Sequence, residues 1–199
     1  MKRIRTHVNP LSIFHRFEKI DSSSLFKEYD ETIDVEIGFG KGVFLRQWAS
    51  NHPTHLVCGV EVRKPMVTQL ELKTKDNLDN VKLFHGNGQY LLEDYFQDKS
   101  IDRLFIFHPD PWIKKRHHKR RVLSPLFLDI VAQKLKNTGK LYVATDVDFL
   151  WEDIKETLDD HPKFNESFDQ KFWDNDYKSH WSTFSEQDNR KSFRGVLSL

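Results

Sequence analysis

The chain is poor in cysteine: its 199 residues include one, Cys58. A lone thiol excludes an internal disulfide and fits a reducing, cytoplasmic setting. Its place in the apolar stretch 55–62 suits a small buried hydrophobe better than a nucleophile. No apolar run approaches the roughly 18 residues that a membrane-spanning helix needs. The opening MKRIRTHVNP is basic but has no apolar h-region after it, so it does not have the form of a secretory signal. No Cys/His spacing suggests zinc, and His117 and His118 are adjacent, so they point different ways and make a poor metal pair. Net charge is nearly absent too, at +1 from 31 Lys+Arg against 30 Asp+Glu.

That balance hides one concentration of charge. Residues 107–121 spell FHPDPWIKKRHHKRR, in which Lys114, Lys115, Arg116, Lys119, Arg120 and Arg121 place six fixed positive charges within eight residues. Without them the remainder stands at 25 Lys+Arg against 30 Asp+Glu, or −5. A solvated helical face usually interleaves acids for i,i+4 pairing, and residues 114–121 contain none. A mildly acidic protein with such a run is expected to meet a polyanion there, through phosphate contacts from Lys115, Arg116, Lys119, Arg120 and Arg121. Immediately before the run, Asp110 sits between Pro109 and Pro111, whose rings fix φ on either side of the acid. Trp112 either packs under this loop or stacks on a base.

The length favours one domain. Residues 1–30 lack a sustained period and form an expected arm, with residues 31–199 as the domain. From residue 32 onward, strands at 33–37, 56–62, 81–85, 101–107 and 141–144 alternate with helices at 43–49, after Pro65, at 90–96 and at about 125–135. Asn137-Thr138-Gly139 marks a stop. A helix to about residue 160 and two closing strands complete the pattern. The expected fold is α/β, a doubly wound, mostly parallel, seven-stranded sheet of Rossmann-like type with its last strand antiparallel. Ligands of such sheets bind at the carboxyl ends of the strands. That rule gathers Glu36 to Gly38, Glu61, His85 to Asn87, His108 to Asp110, and Thr145-Asp146 onto one rim.

Gly38, Gly40 and Gly42 lie between a strand and a helix, where a sharp turn and close ligand approach favour residues without Cβ. A bare glycine turn is the plain alternative. Glu61 ends the next strand, where an acid can accept from both ribose hydroxyls. The spacing is not the G-x-G-x-x-G of dinucleotide folds, and Glu36 would repel a pyrophosphate but attract a sulfonium or an amine. S-adenosyl-L-methionine is therefore expected over NAD. Asn87 is placed either to meet the adenine edge or to form a turn.

Together these stretches resemble the bacterial tRNA (guanine-N7)-methyltransferases, the TrmB family. The resemblance lies in Val35 to Gly42, Gly59 to Arg63, Asp110-Pro111-Trp112 with the basic residues after it, and Thr145-Asp146. It also extends to residues 3–11 and is colinear over nearly the whole chain. It implies a class I methyltransferase that moves a methyl group from S-adenosyl-L-methionine to N7 of guanine 46 in the tRNA variable loop. Glu36, Gly38, Gly40, Glu61, Asn87 and Asp110 would hold the cofactor, with Asp110 catalytic. Lys114, Asp146, Thr183, Phe184, Ser185 and Glu186 would contact the substrate. The sequence departs from the family at His108, where an aromatic is usual, and at Asp188, where a basic residue often stands. A NAD-dependent oxidoreductase and a non-catalytic RNA-binding protein with a relic cofactor fold are the competing readings.

Overall fold

The structure is a computed structural model that describes residues 8–19, 32–188 and 190–199. Lys2, Arg3, Arg5, His7 and the serine-rich stretch 21–24, all parts of the expected arm, lie outside the described residues.

The strands are β1 (Ile33–Ile37), β2 (Leu56–Glu61), β3 (Val81–His85), β4 (Ile101–Phe107), β5 (Leu135–Thr145), β6 (Asn165–Ser167) and β7 (Phe193–Ser198). They form one sheet in the order β3-β2-β1-β4-β5-β7-β6. The first five pair in parallel, and β7 lies antiparallel to both β5 and β6. The helices are α1 (Val43–Asn51), α2 (Lys64–Thr74), α3 (Gly88–Tyr95), α4 (Pro125–Lys134), α5 (Asp148–Asp159), α6 (Gln170–Asn175) and α7 (His180–Gln187). The expected seven-stranded mixed sheet is what forms.

Alternation along the central strands sends side chains to two cores, because successive residues of a strand face opposite sides. Leu104, Ile106, Leu141 and Val143 join α3, α4 and α5 on one face. Phe105, Phe107, Tyr142 and Ala144 join α1, α2 and α6 on the other. The second core is aromatic: Phe44 meets Phe105 and Phe107 edge-on at 4.8 Å, and Phe172 lies 4.3 Å from Tyr142. At the end of the sheet away from the strand-end rim, buried Asp34 accepts from Trp48 Nε1 (2.7 Å) and Arg103 Nη1 (3.0 Å), with His55 Nδ1 at 2.8 Å. That carboxylate ties α1 and β4 to β1.

Two expectations change. Asn137-Thr138-Gly139 does not stop the chain before β5 but lies inside it. The pairing with β4 steps from Ile101↔Leu135 to Arg103↔Lys140, so three extra residues loop out as an irregularity within one strand. Two helices that the sequence pattern did not place, α6 and α7, also intervene between the two closing strands. Among the described residues, no helix is long and apolar enough to cross a membrane.

Candidate active site

Strand order reverses between β1 and β4, and the crevice at their carboxyl ends holds a cavity of about 460 Å³. Its walls include Glu36, Gly38, Gly40, Glu61, Arg63, Asp110, Trp112, Arg120 and residues 179–181. Four of the five expected rim clusters contribute a residue to it: Glu36 to Gly38, Glu61, Gly86, and His108 to Asp110.

Glu36 is buried, and its Oε2 has no hydrogen-bond partner among the described residues. Burial, and then the nearby Glu61 carboxylate, push it up to about 8, although a hydrogen bond with the Leu45 backbone opposes the shift. Such a group is incomplete by itself, and a cation placed in the cavity would complete it. Glu61, by contrast, is already saturated. Its Oε2 accepts from Gly40 N and Arg63 Nη2, both at 2.9 Å, and its Oε1 accepts from Arg63 N and Nε, both at 3.0 Å. Asp110 lies near enough to Arg63 to help raise that guanidinium, after the hydrogen bond to Glu61. A ribose at Glu61 would therefore have to displace Arg63, which the sequence did not reveal as a site residue.

The glycines do different jobs. Gly38 adopts φ +78°, and a Cβ there would meet nothing within 4 Å, so its surface stays open to the cavity. Gly42 adopts φ +66°, and a Cβ there would overlap the side chain of Leu70, so this glycine serves the packing of α1 against α2.

Asn87 is not among the cavity walls. Its Oδ1 caps α3 by accepting from Gln89 N (2.9 Å), and its Nδ2 donates to Pro10 O (3.2 Å). The turn-forming alternative describes it better than an adenine contact does. Asn87 thereby tethers the described arm segment 8–19, which places Val8 and Pro10 in the cavity wall. Phe17 and His15 press so closely on Gly86 that a Cβ has no room there.

The cationic run forms a 3-10 turn, Lys115–Arg120, and divides in two. Lys114, Lys115, Arg116 and Lys119 are exposed. Arg120 instead lies over the Trp112 ring, 4.9 Å from its centroid, and lines the cavity. Arg121 is spent on structure: its Nη1 pairs with Asp153 (2.8 Å) and its Nε donates to Pro111 O (3.0 Å), leaving its side chain 8% exposed. The exposed cationic surface is accordingly smaller than the run of six charges suggests, and Trp112 both lines the cavity and carries an arginine.

The substrate residues implied by resemblance lie outside this cavity wall. Asp146 Oδ1 lies 3.2 Å from His108 Nδ1, while Oδ2 accepts from Ser185 Oγ (2.9 Å) and Arg190 Nη1 (3.0 Å). Its side chain is 1% exposed. Burial alone would raise this acid, but the bonds from His108, Ser185 and Arg190 outweigh it and hold the carboxyl well below its ordinary range. Arg190 also bonds Asp188, so Asp188 is linked through Arg190 to the carboxylate that His108 contacts. Within 183–186, Ser185 is buried and Glu186 exposed, and none of the four lines the cavity. Ser179, His180 and Trp181, just before them, do. Lys114 is likewise outside the cavity wall. The available signal for residues 179–181 was a tryptophan and a histidine next to an already suspected segment.

Comparisons with known proteins bear on the family and the fold. A family model described as "Putative methyltransferase" matches residues 30–196. A tRNA (guanine-N(7)-)-methyltransferase of Nitrosococcus oceani is 38% identical over 148 residues, covering 74% of this chain and 62% of that protein. One from Shewanella frigidimarina is 34% identical over 156 residues, covering 78% and 63%. The chain thus spans about three fifths of the length of these relatives. Among solved structures, the 16S rRNA methyltransferase KamB matches with a TM-score of 0.66 at 15% identity, covering 92% of this chain and 96% of that one. The aminoglycoside resistance methyltransferase NpmB1 matches with a TM-score of 0.62 at 14% identity, covering 89% and 91%. At these identities the structural likeness concerns the fold.

Proposed function

The chain belongs to the methyltransferase family matched over residues 30–196, and from that premise we propose that it is a tRNA (guanine-N7)-methyltransferase using S-adenosyl-L-methionine. The observation that carries the reading is the buried, unpartnered Glu36 Oε2 at a cavity wall beside the open glycine loop. A hydroxyl or amide N–H could bond that oxygen, but the sulfonium or amino group of S-adenosyl-L-methionine also supplies a counter-charge to the buried carboxylate. NAD carries a pyrophosphate that would meet Glu36, Glu61 and Asp110 in one crevice, so the oxidoreductase reading is disfavoured.

Glu36 and the Gly38 backbone would hold the cofactor, with Glu61 and Arg63 at its side. When bound, S-adenosyl-L-methionine supplies an electrophilic methyl group on positively charged sulfur. Guanine N7 is an unprotonated lone-pair acceptor, so the chain need not create a nucleophile, and its task is alignment. Asp110, held between two prolines, orients the base and offers negative charge as the purine becomes cationic. Trp112 and Trp181 give the cavity aromatic walls on which a purine can stack. N7 is hidden in the deep major groove of A-form RNA, so the target lies in a loop or is extruded. Guanine 46 of the variable loop is the position the resemblance implies. Lys114, Lys115, Arg116 and Lys119 contact the flanking phosphates. The expected setting is the cytoplasm, with tRNA as partner.

Methyl transfer from labelled S-adenosyl-L-methionine to unmodified tRNA transcripts tests this. Incorporation should vanish when guanine 46 is replaced. Equal incorporation into that variant refutes the position, and no incorporation into any transcript refutes the activity.

A further inference from the structure

Two walls of the cavity come from segments distant in sequence, and one buried ring joins them. His108 leaves β4 in the left-handed region, at φ +48°, while its N–H still donates to Ala144 O at 2.7 Å. A non-glycine residue there costs about 1–2 kcal/mol. The strained turn lies directly before Pro109-Asp110, and the ring is held inside the protein. Nδ1 lies 3.2 Å from Asp146 Oδ1 and Nε2 lies 2.8 Å from Tyr177 Oη, with 1% of the side chain exposed.

The direction of the bonds follows from the partners. Asp146 is ionised and can only accept, so Nδ1 carries the proton between them. Burial pushes the Tyr177 hydroxyl up to about 12, with nearby Ser179 and Arg194 partly offsetting it. The phenol therefore keeps its proton, and it donates to Nε2 when the ring is the neutral Nδ1–H tautomer. The result is an ordered chain from Asp146 through His108 to Tyr177, two residues before Ser179, which itself lines the cavity and caps α7. At its other end, Asp146 also holds Ser185 of α7 and Arg190. Two residues beyond His108 stands Asp110.

We propose that His108 is a positioning residue, whose ring keeps the Asp110 loop and the 179–181 wall at a fixed separation. Its kinetic readout rests on the methyl-transfer reading above; its structural readout does not. No part of the ring's hydrogen bonding reaches Glu36 or Gly38, so loss of the ring should disturb alignment more than cofactor affinity.

His108→Phe preserves an aromatic ring and removes both bonds, while Tyr177→Phe deletes a single hydroxyl. For methyl transfer to tRNA, kcat should fall about tenfold or more in the first and about two- to tenfold in the second. KM for S-adenosyl-L-methionine should stay within about twofold. Added imidazole should restore part of the rate to His108→Ala. Deuterium exchange over residues 177–187 should quicken in the variants, while β1 and β2 keep wild-type protection. If His108→Phe does not fold, Tyr177→Phe decides. Wild-type kcat in a folded variant, or unchanged exchange over 177–187, overturns the proposal. If the wild-type protein methylates no tRNA, the functional reading fails, and the exchange measurement alone decides this one.

Discussion

Replacing Glu36 by glutamine should strengthen the free protein and abolish S-adenosyl-L-methionine binding in the same step. Glu36 is pushed from an ordinary 4.5 to about 8. Below about pH 4.5 the carboxyl is protonated in both folded and unfolded chains, and burial costs little. As pH rises from there to about 8, the unfolded chain ionises and the folded one resists, so stability is progressively lost. At roughly 1.4 kcal/mol per pH unit, the loss is about 3 kcal/mol at pH 7 and about 5 kcal/mol well above pH 8. Glutamine carries no such cost, so the urea midpoints of the two proteins should diverge with pH by amounts of this order. Binding a cation beside Glu36 must ionise it, which at pH 7 releases about 0.9 proton per cofactor bound. Calorimetry in buffers of different ionisation enthalpy reads that number directly. Affinity should rise about tenfold per pH unit up to about 8 and then level off. If glutamine is not stabilising, and binding at pH 7 shows no buffer dependence, the reasoning from the unpartnered oxygen is wrong.

Changing Lys115, Arg116 and Lys119 together to alanine should flatten the salt dependence of tRNA binding by up to about 0.7–0.9 in log–log slope for each phosphate that is no longer neutralised; an unaltered slope shows that the turn faces elsewhere. Arg121→Ala should leave that slope intact and instead cost about 1–3 kcal/mol in urea unfolding, because its guanidinium is tied to Asp153 and Pro111. Asp34→Leu should cost about 3–5 kcal/mol by stranding Arg103 and Trp48 Nε1, with S-adenosyl-L-methionine affinity retained at temperatures where the variant is folded. Gly42→Ala should destabilise by about 2 kcal/mol or more, since φ is +66° and Leu70 occupies the space; a smaller effect would mean that α2 shifts freely.

Fold and motif were legible because both are written in short-range pattern. The unbroken apolar run that follows Arg103 in residues 104–107, set among helical stretches, needs only neighbouring residues to declare a buried parallel strand. A glycine-rich turn followed by a helix declares itself in the same way. The irregularity inside β5 was not legible, because Asn137-Thr138-Gly139 has the composition of a stop. Only pairing with Ile101 and Arg103 on β4 turns it into a looped excursion.

By itself, then, the sequence determined the α/β class, the strand ends that form the rim, and the acids Glu36 and Asp110 that face one crevice. Those properties follow from local periodicity and from the rule that such sheets bind ligands at strand ends. Tertiary structure alone decided which polar groups remain available. Glu61 lines the crevice as expected, yet Arg63 and Gly40 occupy its oxygens, while Asn87 lies outside the wall with Gln89 and Pro10 as its partners. Asp146 is consumed by His108, Ser185 and Arg190, and Arg121 by Asp153. A hydrogen-bonding group declares its chemistry in the sequence, but whether a partner has already satisfied it depends on atoms brought within about 3 Å from distant parts of the chain. Among the described residues, Glu36 is left with a buried oxygen unanswered, and Arg120 with its Nε.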